Sequence, residues 1–218
     1  MSLLQNSNAI STGGYNLTDS VRFRSSASAY LERTPTTAGN RKKYSWSGWV
    51  KRGDLSTQQM VFGAGNASSP RCSIQIQSTG ELAFGNSGVG SYTTSAVFRD
   101  PSSWYHVLVS VDSSESLAEN RCKIYVNGIQ QITVGNNALP LNTDTEINNT
   151  SIHVLGVRYD NSSFFFDGYM TEVNFVDGQQ LTPSDFGETD ATTGVWKPIE
   201  YTVTYGTNAY VTVSASYS

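Results

Sequence analysis

Charge is scarce in this sequence, and the shortage narrows its function first. Only 15% of the residues are charged, and 14 Lys and Arg stand against 18 Asp and Glu, for a net charge of −4. Nucleic-acid binders neutralise phosphates with Lys and Arg, so no nucleic acid is expected as a partner. The one basic run, Arg41-Lys42-Lys43 with Lys51-Arg52 after it, reads as a solvated turn and strand end. Cysteine is almost absent. Cys72 and Cys122 alone cannot build a disulfide framework or a zinc site. Both are expected to be free buried thiols, as suits a chain made in a reducing cytosol. No apolar run approaches the ~18–20 residues that a membrane span needs. The N-terminal stretch lacks the basic start and apolar run of a signal peptide. Ala, Leu and Glu never cluster, so long helices are not expected.

What is abundant favours strands. There are 12 Tyr, 9 Phe and 4 Trp, and 19 Gly against 6 Pro, so ring-rich segments are cut by turns. Trp104-Tyr-His-Val-Leu-Val-Ser-Val-Asp alternates, which puts Tyr105, Val107, Val109 and Val111 on one face and Trp104, His106 and Leu108 on the other. Tyr44-Ser-Trp-Ser-Gly-Trp-Val places Tyr44, Trp46 and Gly48 together, with a bulge expected at Ser47-Gly48. The strongest hairpin signal is Arg121-Cys-Lys-Ile-Tyr-Val, then Asn127-Gly128, then Ile-Gln-Gln-Ile-Thr-Val. Asn-Gly supplies the positive φ that a type I′ turn needs at both central positions. A second hairpin joins Cys72-Ser-Ile-Gln-Ile-Gln to Glu81-Leu-Ala-Phe-Gly. Leu181-Thr-Pro-Ser-Asp-Phe-Gly reads as one helical turn, capped by Thr182 and stopped by Gly187. Regular short strands with no βα alternation predict an all-β, two-sheet antiparallel sandwich. The expected organisation is an extended N-terminal arm over 1–19 and one domain over 20–218, with the last strands in 194–218.

Four segments in order carry a resemblance: Tyr44-Ser-Trp-Ser-Gly-Trp-Val-Lys-Arg-Gly, Trp104 to Asp112, Lys123-Ile-Tyr-Val-Asn-Gly, and Phe166-Asp-Gly-Tyr-Met-Thr-Glu-Val-Asn-Phe. Together they resemble the concanavalin A-like, laminin-G-like jelly rolls. The ending Asp177-Gly-Gln-Gln-Leu-Thr-Pro-Ser-Asp-Phe-Gly-Glu and the opening Tyr30-Leu-Glu-Arg-Thr-Pro are similar to modules of bacteriophage tail fibres and other virion proteins. The resemblance implies a jelly-roll module displayed on a virion assembled in the host bacterial cytoplasm, as head decoration or as part of the tail. It implies other virion proteins as partners and a homo-oligomer, with a trimer as one arrangement. A tail-fibre lectin recognising host surface glycan is the alternative, and a glucan-directed depolymerase the third.

Catalytic chemistry is sought in Glu172-Val-Asn-Phe-Val-Asp177. Related glucan hydrolases carry Glu-x-Asp-x-x-Glu on one strand, and retaining hydrolysis needs two carboxyl groups ~5–5.5 Å apart. Glu172 and Asn174 share a face, but Asn174 is an amide and Asp177 sits in an Asp-Gly turn. No catalytic residue is therefore assigned, and a non-enzyme is expected. His106 and His153 lie inside strand patterns and are read as locally hydrogen-bonded. No Gly-x-Ser-x-Gly elbow or phosphate-binding glycine loop occurs.

Calcium wants 6–8 oxygen ligands. Asp144, Glu146 and Asn148 alternate and could offer oxygens, as could Asp160-Asn161. Both are read as solvated polar loops, so no metal site and no cofactor is assigned. Glycan binding needs an exposed ring beside Asn or Asp, which makes Tyr92, Tyr159, Asn161 and Phe164 the candidates. Trp46, Trp49 and Trp104 are expected in the core. In the polar arm, Leu3, Leu4, Ile10, Tyr15 and Leu17 are the candidates for docking to a virion neighbour.

Overall fold

The computed structural model describes residues 15, 17–65, 71–87, 89–160, 162–206 and 210–212. Sixteen strands form among them. In chain order they begin with β1 (Val21–Phe23), β2 (Leu31–Arg33), β3 (Lys43–Arg52), β4 (Gln59–Gly65) and β5 (Arg71–Ile76). There follow β6 (Glu81–Asn86), β7 (Gly90–Val97), β8 (Tyr105–Asp112), β9 (Cys122–Val126), β10 (Ile129–Gln130) and β11 (Thr133–Asn137). The last are β12 (Ile152–Leu155), β13 (Gly168–Asp177), β14 (Gly187–Thr189), β15 (Trp196–Pro198) and β16 (Tyr210–Thr212).

Two seven-stranded antiparallel sheets pack as a sandwich. Sheet A runs β1-β13-β3-β8-β9-β10, with β16 also on β13, and sheet B runs β11-β7-β6-β5-β4-β12-β2. A third, two-stranded sheet is the ribbon β14-β15. The alternation read from the sequence sets the faces. Val107, Val109 and Val111 of β8 and Tyr44 and Trp46 of β3 all enter the core. Trp46 stacks on Phe62 of the opposite sheet with ring centroids 6.0 Å apart, and Phe62 meets Phe175 at 6.1 Å. Each buried ring of this kind contributes about 1.5–3 kcal/mol relative to exposure. The hairpin at Asn127-Gly128 has φ of 48° and 80°, as a type I′ turn demands. The helical turn is a 3₁₀ turn over Pro183–Asp185, and the Asp185 carboxylate accepts from both the N–H and the hydroxyl of Thr182.

The bulge lies on the other strand from the one expected. β3 pairs evenly with β8 through Ser47 and Gly48, whereas β13 carries the extra residue between Thr171 and Asn174. Glu172 takes it up at φ 49°. Gly48 makes the room: a Cβ there would lie 3.2 Å from Val173 Cγ2 and 2.9 Å from the Trp46 ring. Glycine in the neighbouring strand thus marks the bulge without containing it.

The two outer faces differ. Sheet A is sealed by the chain after β13. Phe186, Tyr201 and Leu181 pack on Leu108 and Val176, and Ser45 and Ser110 donate to the carbonyls of Gln179 and Leu181 at 2.8 and 2.7 Å. The N-terminal side is tied to the same sheet. Tyr15 donates to Glu172 at 2.5 Å, Thr171 donates to the carbonyl of Asp19 at 2.6 Å, and β1 pairs with β13. Of the arm candidates, Tyr15 and Leu17 are half-buried, while Leu3, Leu4 and Ile10 lie outside the described residues. Sheet B keeps much of its outer face open.

Cys72 and Cys122 are buried and free. Burial pushes both thiols well above their ordinary range. Neither is expected to react with a disulfide reagent at pH 8 in the folded protein, and both should react once it is unfolded in urea. A thiol titrating at the native rate of an exposed cysteine would contradict this packing.

Candidate functional site

The open face of sheet B forms a groove of about 510 Å³, within the ~300–1,000 Å³ typical of ligand sites. Its floor is built by side-chain alternation. Ser73 and Gln75 of β5 point outward while Cys72, Ile74 and Ile76 enter the core. Gly85 of β6 sits between Ser73 and Ser91 in register, and a Cβ there would meet nothing within 4 Å. Small outward residues keep this floor low.

One wall is the loop between β12 and β13. It folds back over β12, burying Val154 under Val157 and Tyr159. Phe164 fixes the loop to β4, its carbonyl accepting from the Met60 N–H at 2.9 Å. Phe164 holds φ at 54°, a conformation that is rare for a bulky residue and concentrates at functional loops. Arg158 spans the loop as a bidentate partner of Asp160 and lies 5.3 Å from the Phe164 ring centroid. That hydrogen bonding holds the Asp160 carboxyl down at about 2 and raises the Arg158 guanidinium. Arg71, at the start of β5, has its guanidinium 5.6 Å from the Tyr159 ring centroid. Arg71 makes no ion pair among the described residues, and the remaining residues carry no acidic side chain. The groove therefore has one neutralised and one available cation, with Gln58 donating to Gln75 at 2.9 Å beside them.

The structure brings two of the four glycan candidates to this wall. Phe164 is 37% exposed and offers a ring to solvent. Tyr159 lines the groove but is only 6% exposed, being packed on Val154 and Val157. Tyr92 is a correction. It points from β7 into the core against Phe84, is 3% exposed, and accepts the Leu139 N–H on its hydroxyl at 2.9 Å. The polar residues flanking Tyr92 suggested a loop, but their alternation in β7 sends the ring inward. Asn161 lies outside the described residues. Arg71, Ser73 and Gln75 were missed in the sequence. Their signal was the polar half of an alternating strand.

The residues weighed for catalysis are covered. Glu172 is 6% and Asn174 3% exposed. Tyr15 donates to Glu172, and Tyr205 donates to the Asn174 side-chain oxygen at 2.7 Å. Asp177 is turned elsewhere, accepting from Asn40 N–H at 2.8 Å and Asn148 Nδ2 at 2.6 Å. His106 bonds Ser47 Oγ through Nε2 at 2.9 Å, and its Nδ1 accepts the Trp196 indole N–H at 3.1 Å. The third group is thus a donor, where a nucleophilic triad needs an acceptor.

The oxygens weighed for calcium have separate roles. Glu146 is buried against Arg41 and accepts from Asn149, Asn148 holds Asp177 and the Asn40 carbonyl, and Asp144 is exposed. Among the described residues no group of three His, Cys, Asp or Glu side chains is placed to hold a metal. No helix among them is long and apolar enough to cross a membrane.

Two packed antiparallel sheets with this strand order define a concanavalin A-like sandwich. The chain belongs to the concanavalin A-like lectin/glucanases superfamily, whose model matches residues 24–186. Solved structures share the fold at low identity. A SAP-like heptameric pentraxin of Limulus polyphemus has a TM-score of 0.53 at 15% identity, covering 92% of this chain and 94% of that one. The NanB sialidase of Streptococcus pneumoniae has 0.55 at 14%, covering 80% of this chain and 29% of that one. A candidate carbohydrate-binding protein of Bacteroides ovatus has 0.52 at 13%, covering 76% and 44%. The chain spans less than half the length of the latter two. No curated protein matches it in sequence.

Proposed function

We propose that the chain is a non-catalytic glycan-binding module carried on a bacteriophage particle. The groove on sheet B carries this reading: a low floor of Gly85, Ser73 and Gln75 beside a wall of Arg71, Tyr159 and Phe164. Amide and hydroxyl groups match the hydroxyls of a sugar, and an exposed ring matches its C–H face. Carbohydrate binding proposed for a protein of the same fold agrees with it. Support for a non-catalytic role comes from Glu172, buried and bonded by Tyr15, and from Asn174, an amide where the hydrolase pattern has an acid.

The particle setting rests on the resemblance of Tyr30–Pro35 and Asp177–Glu188 to virion modules. A purely structural role, as head decoration or tail component in contact with other virion proteins and with copies of itself, is the second reading. The anchoring of Tyr15 and Asp19 on sheet A favours it, because it holds the N-terminal side of the described chain on one face of the sandwich.

A glycan array probed with the intact protein tests the proposal. Bound glycans are expected, with Arg71→Ala and Phe164→Ala each weakening binding about tenfold, the range of a good polar or aromatic contact. Absence of any binding would leave the structural role. Sugar release from a polysaccharide, lost on Glu172→Gln, would overturn the non-catalytic reading.

A further inference from the structure

Sheet A carries a second cleft, built by different elements and sharing no lining residue with the groove. It lies where the β9–β10 turn meets the β14–β15 ribbon, has a volume of about 370 Å³, and is lined by Trp49, Trp104, Trp196, Asn127, Ile129 and Thr189, among others. No lining residue is charged. The expectation of buried tryptophans holds for Trp46 and Trp49 but not for Trp104. Trp49 is buried but on the outer face of sheet A, and Trp104 and Trp196 are half-buried.

The aromatic wall is rigid. Trp196 donates to His106 Nδ1 at 3.1 Å and stacks on that imidazole with centroids 5.9 Å apart. Burial lowers His106 to about 3, so the ring is neutral and can accept. Two glycines let the indole seat closely: a Cβ on Gly128 would fall 2.6 Å from its ring, and one on Gly187 2.5 Å. Gly128 is also required by the turn, at φ 80°. Polar capacity is left over as well. The Asn127 side-chain oxygen is taken by the His106 N–H at 2.8 Å, and neither its Nδ2 nor the Trp104 indole N–H has a partner among the described residues. Ile129 stands 69% exposed at the rim.

We infer that this cleft is a second binding site, for an uncharged pyranose, independent of the groove. A sugar ring combines an apolar C–H face with hydroxyls, and the cleft combines preorganised indole faces with two free N–H donors and no charge. Fixed rings lose little entropy on binding, which favours recognition by a small ligand. A charged sugar would meet no counter-charge here, in contrast to the groove with its available Arg71.

The experiment titrates the intact protein with cellobiose, maltose, lactose and chitobiose, following the indole N–H resonances of Trp104 and Trp196 by NMR. At least one disaccharide is expected to shift both resonances saturably. Trp104→Ala should weaken that binding tenfold or more. Should Trp104→Ala fail to fold, Ile129→Asp, at an exposed position, should weaken it comparably. Gly85→Tyr, which fills the groove, should leave it unchanged. If no disaccharide moves these resonances, or if Gly85→Tyr abolishes the shifts, the second site is refuted. The first outcome leaves the groove proposal standing.

Discussion

Gly85→Tyr is expected to abolish glycan capture by the groove while the protein stays folded. Gly85 lies mid-strand in β6, paired with Ser73 and Ser91, and a Cβ there points into open space. Its φ is not positive, so a side chain brings no backbone strain. Tyrosine suits a strand, so stability should change by no more than about 0.5 kcal/mol, as at other surface positions. The ring would occupy the space between the β5 polar row and the Phe164 wall. Blocking a central contact of a binding site costs about 2 kcal/mol or more, roughly thirtyfold in affinity. Array signal and a thermal melt measured on one preparation check it. A folded Gly85→Tyr protein that binds glycan like the parent would remove the groove from consideration. Gly90→Tyr shows why the position matters: a Cβ there would fall 2.8 Å from Leu139 Cδ2, so that variant should lose stability first.

The strands and their inward faces were legible in the sequence because sandwich strands bury one side only. Val107, Val109 and Val111 announced their face by alternation, and Asn127-Gly128 announced its turn by the φ values it must adopt. The site was only half legible. Phe164 is exposed, as its polar loop suggested, but Tyr92 stands among equally polar residues and is core. Local polarity cannot separate these cases, since strand parity in the finished sheet decides which way a ring points. Nor could the sequence say which sheet face stays open. That depends on the chain after β13 crossing Leu108 and Val176 to cover sheet A. The same crossing builds the second cleft, setting Trp196 on His106, 90 positions earlier in the chain, and beside Trp49 of β3. Short-range pattern holds no record of such contacts.

Acidification from pH 7.5 to pH 5 is expected to cost this protein a large part of an ordinary domain's stability margin, through its two histidines. His106 is 1% and His153 3% exposed. Burial lowers them to about 3 and about 4 respectively. Each is held neutral by its bonds. His106 Nδ1 accepts from Trp196. His153 Nε2 accepts the Asn148 N–H at 2.8 Å, leaving Nδ1 to donate to the Ser151 carbonyl at 2.8 Å. Protonation would destroy an accepted hydrogen bond in each case. In the unfolded chain both titrate near 6.5. Between about 6.5 and the lowered native values, the unfolded state holds more protons, so stability falls as pH falls. The contribution is complete above pH 6.5 and amounts to about 2 kcal/mol per histidine lost by pH 5. Against a typical margin of roughly 5–15 kcal/mol, a combined loss of about 4 is large. The carboxylates held near 2, Asp100, Asp160 and Asp190, act in a lower window: their contribution is present above about 3.8 and fades only below it. Urea unfolding at pH 7.5 and pH 5 therefore isolates the histidines. His106→Gln, which keeps a side-chain acceptor for Trp196, should lower stability at pH 7.5 but remove about half of the pH dependence. An unfolding midpoint that is the same at both pH values would mean that both imidazoles take up a proton in the fold as readily as in the unfolded chain. In that case Trp196 would lose the acceptor that positions it.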